Sequence, residues 1–253
     1  MIDVALRPAD ARPADLAIVI DVLRATSTLT QALAAGYRGV LCVQCTERAE
    51  TLRGAGRVLA GERSCVKPPG FDQGNSPIEA RRCSGDELVL ATTNGTPAIL
   101  VACANADTVL LACMLNLDAV VRAALGYMTA GKRDVHIVCA GTNGAVSLED
   151  AYVAGRISSQ LPGARTDAAL VAEGVARAFV APLEALSASA DARALDAAQM
   201  SDDVAYCAQE SLLALVPAVA SFHSGVAVVT SRCEDSARPR DRRFVEHLDP
   251  VSR

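Results

Sequence analysis

Four short polar stretches of this chain hold most of the residue types that can do chemistry: residues 21–28, 61–77, 92–96 and 139–150. Each stretch follows an apolar run with the length and composition of a β-strand. In open α/β sheets, ligands bind in the crevice outside the carboxyl ends of the strands. We therefore expect the four stretches to line one crevice.

Cations and neutral donors in these stretches suit an anionic ligand. Arg24, Arg63 and Lys67 supply positive charge. The neutral donors stand at predicted strand-to-helix turns, and they are Thr26, Ser27, Thr28, Thr92, Thr93 and Asn94. Because helix N-termini rich in such residues bind phosphate through free backbone N–H groups, the pattern predicts a phosphate or a similar anion in the crevice.

Carboxylates in the same stretches predict a divalent cation beside the anion. They are Asp21, Glu62, Asp72, Glu149 and Asp150. Their negative charge exceeds what the three cations neutralise, and an anionic ligand adds to it. A Mg²⁺ ion that bridges one or two carboxylates to a phosphate oxygen would restore the balance.

Ordinary structural roles would also explain these residues when each is taken alone. Glu149 and Asp150 fall in a predicted first helical turn, where acids stabilise the helix dipole. The Thr-Ser-Thr run at residues 26–28 is typical of a helix N-cap. Asp21 ends a buried strand and needs a partner, which an ion pair with Arg24 would supply.

Other familiar motifs fail on inspection. Residues 126–132 match the first seven positions of a phosphate-binding P-loop, but Arg133 replaces the required Ser or Thr and a strand follows instead of a helix. Residues 54–56 lack the third glycine of a dinucleotide-binding turn. The nine Cys show no zinc-site spacing, and Cys139 has no nearby Arg or His to hold a thiolate.

The elements that must position the polar stretches are predicted from apolar runs and capping residues. Strands are predicted at residues 16–22, 40–43, 57–61, 87–91, 108–113, 135–139 and 225–229. Their continuous Val, Ile and Leu content is typical of strands buried on both faces. Helices are predicted to begin at Ser76, Thr96, Asn116 and Ser147, and to end at Gly36 and Gly131. This alternation predicts a three-layer α/β domain with a largely parallel or mixed sheet.

Length and composition exclude several classes of protein. The chain has 253 residues, of which 51% are hydrophobic, so folding would bury about 72% of its surface. A net charge of −5 and 3% aromatic residues exclude a general nucleic-acid binder. With no apolar run of membrane-spanning length and no leader pattern, we expect one cytoplasmic domain over residues 1–253 that does not bind membranes. The Ala-rich, helical residues 166–209 would cover it or form a homodimer contact, and residues 236–253 would form a tail.

Taken together, the polar stretches resemble the 2-phosphosulfolactate phosphatase family, which acts in coenzyme M biosynthesis. The matching motifs are DVLRATST at 21–28, GER at 61–63, GFDQGNSP at 70–77, TTNGT at 92–96, and CAG with SLED within 139–150. They stand in the order found in the family. The resemblance implies Mg²⁺-dependent hydrolysis of 2-phospho-3-sulfolactate to 3-sulfolactate and phosphate on an α/β fold.

On this interpretation, the catalytic residues are Asp21, Arg24 and Glu62. Asp21 and Glu62 would hold Mg²⁺ together with either Glu149 or Asp150. The nucleophile is either a water molecule or Asp21 itself, and the residue types leave both open.

The predicted substrate-binding residues form two groups. Phosphoryl oxygens, where negative charge must be stabilised during transfer, would contact Arg24 and the amides and hydroxyls of residues 26–28. Arg63, Lys67 and Asn75 would hold the carboxylate and sulfonate end, since a planar guanidinium suits oxyanions. The remaining predicted contacts are Thr92, Thr93 and Asn94.

Two positions differ from what the resemblance implies. Ser64 and Cys65 replace a glycine-rich pair, and Asp191 with Ala192 stands where a His-Gly pair is expected. If that histidine binds the sulfonate or protonates the leaving group, the chain prefers another substrate. Two alternatives therefore stay open: a phosphatase of another small phospho-hydroxy acid, and a non-catalytic anion-binding domain.

Overall fold

The computed structural model describes residues 1–131 and 134–232, and the sheet in this part of the chain has nine strands. The strands are β1 (Ile2–Ala5), β2 (Ala14–Ile20), β3 (Gly39–Val43), β4 (Arg57–Gly61), β5 (Glu87–Ala91), β6 (Ala106–Ala112), β7 (Val135–Cys139), β8 (Val216–His223) and β9 (Val226–Arg232). The helices are α1 (Ala25–Ala35), α2 (Thr46–Thr51), α3 (Pro77–Ala80), α4 (Gly95–Asn105), α5 (Leu117–Thr129), α6 (Leu148–Ser158), α7 (Asp167–Arg177), α8 (Pro182–Ser187), α9 (Ala190–Ala197) and α10 (Ser201–Cys207). In space the strands follow the order β1-β7-β2-β6-β8-β9-β3-β5-β4.

All seven predicted strands are present, and the predicted α/β class with a mixed sheet is confirmed. β4, β5 and β7 have the predicted bounds, and the other four differ by up to three residues at an end. The sequence did not predict β1 and β8. β1 has only four residues, and β8 contains Pro217, whose missing N–H cannot join a sheet ladder.

Most of the predicted helix boundaries hold. Helices begin directly after the predicted N-caps Ser76, Asn116 and Ser147. Gly36 and Gly131 follow α1 and α5 with left-handed φ angles of 114° and 96°. The start predicted at Thr96 is wrong, because α4 has Asn94 as its N-cap. Thr96 lies inside the first turn, where it and Thr92 each accept the other's backbone N–H, at 3.1 and 3.0 Å.

Two parallel blocks make up the sheet: β1, β7, β2 and β6 in the first, and β3, β5 and β4 in the second. Three antiparallel pairings, through β8 and β9, separate the blocks, so a flat sheet would point their carboxyl ends in opposite directions. Neighbouring strands rotate by about 20–25°, which amounts to about 120–150° over the six steps from β2 to β4. This twist turns the two sets of carboxyl ends toward one side.

Helices α1 and α4 fill the space between the two blocks. One apolar cluster joins Val19 of β2 and Val58 of β4 to Leu29 of α1 and Ile99 of α4. A second cluster packs α5 to α10 on the outer face of the first block. A third packs α2 on the outer face of the second. The sheet therefore bends around α1 and α4, whose N-termini are held close to each other.

The predicted helical content of residues 166–209 is confirmed by α7 to α10. Within the described residues, the helices are too short or too polar to cross a membrane. The predicted tail at residues 236–253 lies outside the described part of the chain.

Candidate active site

Asp21 lies directly after β2 and is buried, with 7% of its surface exposed. Its Oδ1 accepts the backbone N–H of Ala25 at 3.0 Å, and its backbone exchanges two hydrogen bonds with the Thr26 hydroxyl. Its Oδ2 faces the start of α4, because a Cβ on Gly95 would overlap it. The absence of a side chain at Gly95 thus lets α4 approach the Asp21 carboxylate.

The ion pair considered between Asp21 and Arg24 does not form. Arg24 instead pairs with Asp203 of α10, with 2.6 Å between Nη1 and Oδ2. Its Nη2 donates to the Cys65 carbonyl oxygen at 3.3 Å. The other Asp203 oxygen accepts the hydroxyl of Ser76 at 2.7 Å. Arg24 and Asp203 are both buried and paired with each other. Asp21 therefore has no ion-pair partner among the described residues.

Asp150 and Glu149 lie in the first turn of α6, and both are buried. Asp150 accepts the backbone N–H of Val22 at 2.9 Å and of Gly141 at 3.0 Å, one on each oxygen. It therefore fastens the end of β2 to the end of β7. Glu149 Oε2 is buried and has no hydrogen-bond partner in the described part of the chain.

A further carboxylate, Asp191 of α9, reaches the same place. Its Oδ2 accepts the Thr142 hydroxyl at 2.5 Å. In the sequence, Asp191 stands out only as a departure from a motif, and no local signal predicts its contact with the site. Asp21, Glu62, Glu149, Asp150 and Asp191 are called the site acids below.

Burial and mutual repulsion disfavour the ionised forms of three of these acids, Asp21, Glu149 and Asp150. Burial and the charge of Asp150 raise the pKa of Asp21 well above its usual value. Burial and the charges of Asp150 and Asp191 likewise raise the pKa of Glu149. Burial also raises the pKa of Asp150, although its two backbone hydrogen bonds oppose the shift. A ligand that carries positive charge would relieve all three shifts.

Glu62 and Asn94 link the remaining polar stretches. Glu62 Oε1 accepts the backbone N–H of Thr93 at 2.7 Å, and its Oε2 accepts that of Cys65 at 3.1 Å. Asn94 Oδ1 accepts the backbone N–H of Asn143 at 3.0 Å. Together with the contacts of Asp21 and Asp150, these bonds bring all four polar stretches into one place.

Several predicted substrate contacts already hold the backbone. The hydroxyls of Thr26 and Ser27 donate to the carbonyl oxygens of Asp21 and Val22, both at 2.8 Å. Thr92 is likewise buried against Thr96, as described above. By contrast, the buried Oγ1 of Thr28 and Oδ1 of Asn75 have no partner among the described residues. Thr93 is exposed and Asn94 is partly exposed.

The loop after β4 carries the other predicted cations. Arg63 is half-buried and donates to the carbonyl oxygen of Glu62 at 2.7 Å, while Lys67 is exposed. Asp72 is drawn away from the site acids, because its Oδ2 accepts the backbone N–H of Leu59 at 2.8 Å. The structure therefore gives Asp72 an ordinary role in holding the loop.

The site acids do not form a ready-made metal cage. Across residues 1–131 and 134–232, no group of three or more His, Cys, Asp or Glu side chains is arranged to hold a metal ion. The predicted three-carboxylate set is thus not preformed, since Glu62 and Asp150 each use both oxygens on backbone N–H groups. Asp21 Oδ2 and Glu149 Oε2 accept no hydrogen bond from the described residues. Mg²⁺ commonly takes one or two carboxylates with substrate phosphate and water, so each of these oxygens is a suitable ligand for it.

Comparisons with known proteins agree with this arrangement of motifs. The family model for 2-phosphosulpholactate phosphatase matches residues 3–221. A protein of Thermotoga petrophila is 40% identical over 223 residues, which cover 86% of this chain and 94% of that protein. A protein of Thermus thermophilus is 41% identical over 209 residues, covering 80% and 87% of the two chains. A protein of Deinococcus radiodurans is 40% identical over 216 residues, covering 82% and 89%. All three are named probable 2-phosphosulfolactate phosphatase. This chain belongs to the 2-phosphosulfolactate phosphatase family.

Proposed function

We propose that this chain is a Mg²⁺-dependent phosphatase that hydrolyses 2-phospho-3-sulfolactate to 3-sulfolactate and inorganic phosphate. Membership in a family of phosphoric monoester hydrolases supports the reaction class. The observation that carries the proposal is the group of three buried carboxyls with raised pKa values, Asp21, Glu149 and Asp150, beside an oxygen of Glu149 that has no partner among the described residues. Such a group is stable in its ionised form only beside a cation.

Asp21 and Glu149 are the residues that would hold Mg²⁺, which when bound supplies Lewis-acid polarisation of a phosphoryl oxygen and neutralises developing charge. Asp150 and Glu62 hold the loops of the site in place, because they accept backbone N–H groups from the loops after β2, β4, β5 and β7. The positive end of the α4 dipole begins at Gly95, next to Asp21, and favours an anionic group there.

The acid end of the substrate would bind at the loop after β4. Arg63 and Lys67 lie in that loop with their charges half-buried and exposed, respectively. Asn75 lies at the end of the same loop, and the amide NH2 group is the part of its side chain that can donate to an anion. A guanidinium and an ammonium are suited to a carboxylate and a sulfonate, which carry their charge on several oxygens.

Asp191 favours a second candidate, a phosphatase of a less anionic phospho-hydroxy acid. Its carboxylate adds negative charge beside Glu149, where a substrate with three acidic groups would have to approach. Phospholactate lacks the sulfonate and would meet less repulsion. The two candidates share their chemistry and differ only in the acid end of the substrate.

The test is release of inorganic phosphate from 2-phosphosulfolactate, phospholactate and phosphoglycolate, each with Mg²⁺ and with EDTA. The proposal expects fast release from 2-phosphosulfolactate that EDTA abolishes. Release from the other two acids alone would move the substrate to the second candidate. If the folded protein releases phosphate from none of the three acids, the proposed phosphatase activity is refuted and an anion-binding domain is favoured.

A matched pair of variants tests the metal assignment. Glu149→Gln should raise the Mg²⁺ concentration needed for half-maximal activity at least tenfold, because it removes a charged oxygen ligand. Glu184→Gln changes an exposed glutamate of α8 in the same way and should leave that concentration unchanged. Equal Mg²⁺ dependence in the two variants would exclude Glu149 as a ligand.

A further inference from the structure

A continuous chain of hydrogen bonds connects α10 to the loops that carry the site. Asp203 binds Arg24 at 2.6 Å, and Arg24 donates to the carbonyl oxygen of Cys65 at 3.3 Å. The Cys65 N–H donates to Oε2 of Glu62, and Oε1 of the same carboxylate accepts the Thr93 N–H. These hydrogen bonds thus connect the C-terminal helices to the ends of β4 and β5.

Asp203 also reaches a second loop. Its Oδ1 accepts the hydroxyl of Ser76, which in turn accepts the Glu79 N–H as the N-cap of α3. Ser76 directly follows Asn75, which has an unpaired buried oxygen. Both oxygens of one buried carboxylate therefore hold segments next to predicted substrate-binding residues.

We propose that Asp203 is a positioning residue for the phosphatase reaction, acting through Arg24 on the 62–66 loop and through Ser76 on the end of the 70–77 loop. The inference rests on the proposed function for its substrate. A buried ion pair contributes little net stability in many proteins, whereas loss of one partner leaves a charge that must reorganise its surroundings. Here those surroundings are the loops that hold Glu62, Arg63 and Asn75.

The test compares Asp203→Asn with Asp202→Asn, an exposed neighbour on the same helix. Displacement of a binding loop by about 1 Å can lower a rate by about 100-fold, so Asp203→Asn should lower kcat/KM for phosphate release by about 10- to 100-fold. Asp202→Asn should leave it unchanged. Both are measured well below the melting temperature, with the folded fraction determined by circular dichroism.

A double-mutant cycle separates positioning from general stability. If Asp203 acts through Arg24, Asp203→Asn should cost much less in an Arg24→Met background than in the wild type. Asp203→Glu, which retains the charge, should restore part of the activity. If Asp203→Asn does not fold, Ser76→Ala tests the hydrogen bond between Asp203 and Ser76, and this substitution should raise KM. A lower melting temperature with unchanged kcat/KM in the folded variants would overturn the inference and leave the proposed function standing.

Binding of inorganic phosphate, measured by calorimetry with Mg²⁺, covers the case in which the wild type hydrolyses none of the three acids. Weaker phosphate binding by Asp203→Asn than by Asp202→Asn would then support the positioning role while the proposed function fails. Equal phosphate binding, or none by the wild type, would overturn the positioning role as well.

Discussion

Replacement of Gly95 by alanine should damage both the stability and the activity of this protein. Gly95 is the first residue of α4, and a Cβ there would lie less than 3.0 Å from both Asp21 Oδ2 and the Ala25 Cβ. Ordinary van der Waals contact begins at 3.4 Å. The Asp21 carboxylate cannot simply rotate away, because its Oδ1 is held by the Ala25 N–H and the residue is buried.

The expected size of the effect follows from that overlap. The N-termini of α1 and α4 must separate by on the order of 1 Å, and overpacking of this kind costs about 1–3 kcal/mol. A shift of about 1 Å at the reacting groups lowers a rate by about 100-fold. Gly95→Ala should therefore lower kcat/KM by roughly two orders of magnitude and reduce the free energy of unfolding measurably.

Phosphate release and urea unfolding measure the two effects. Gly126→Ala is the matched control, since Gly126 lies in α5 and a Cβ there would meet nothing within 4 Å. That control should keep full activity and gain up to about 1 kcal/mol from better helix propensity. Wild-type kcat/KM and unfolding free energy in Gly95→Ala would contradict a close contact between α4 and Asp21.

Three other predictions concern separate parts of the molecule. Asp21→Asn should lower phosphate release by about 100-fold or more, whereas Asp72→Asn should not, which a side-by-side assay would check. Burial raises the pKa of Asp3, but hydrogen bonds from Thr166 and Arg12, together with the charges of His136 and Arg12, outweigh it and leave the pKa below 3.8. The folded state therefore gains stability above that pH and loses it as the pH falls below, so Asp3→Asn should destabilise more at pH 7 than at pH 3 in urea titrations. Gly155→Ala should destabilise by about 1–3 kcal/mol, because its Cβ would overlap the backbone of α7, and a normal urea midpoint would contradict this packing.

The apolar runs predicted the strands well because strands buried on both faces leave an unbroken apolar signal. β8 escaped prediction for the opposite reason. It contains Pro217, its last four residues are partly or fully exposed, and its pairing with β6 rests on one register position, Leu110 with Ala218. Its place in the sheet depends on contacts with distant strands, which local sequence does not encode.

The four polar stretches are predicted to meet because the carboxyl ends of parallel strands lie at one edge of a sheet. The structure brings them together, but by another route. The two parallel blocks are joined through antiparallel β8 and β9, and the accumulated twist of the sheet turns their carboxyl ends toward each other. That topology depends on strand order, and strand order cannot be read from the separate motifs.

The contacts of Asp203 could not be predicted from the sequence for a related reason. Asp202 and Asp203 stand side by side in the first turn of α10, where acids are common and stabilise the helix dipole. Only the packing of α10 against Arg24 and Ser76 distinguishes the buried residue from its exposed neighbour. The simple charge pairing of Asp21 with Arg24 failed because it considered only residues close in the chain.

That altered pairing changes the electrostatics of the whole site. Because Arg24 pairs with Asp203, it does not serve as the cationic partner of Asp21. Burial, together with repulsion between the carboxylates, raises the pKa values of Asp21, Glu149 and Asp150. The N-terminal dipoles of α1, α4 and α6 offset part of this repulsion, since all three helices begin beside these acids. A divalent cation would supply the rest, and its own excess charge would then attract a phosphoryl group. With Mg²⁺ bound as proposed, the attraction of an anionic ligand would thus come more from the metal than from exposed basic residues.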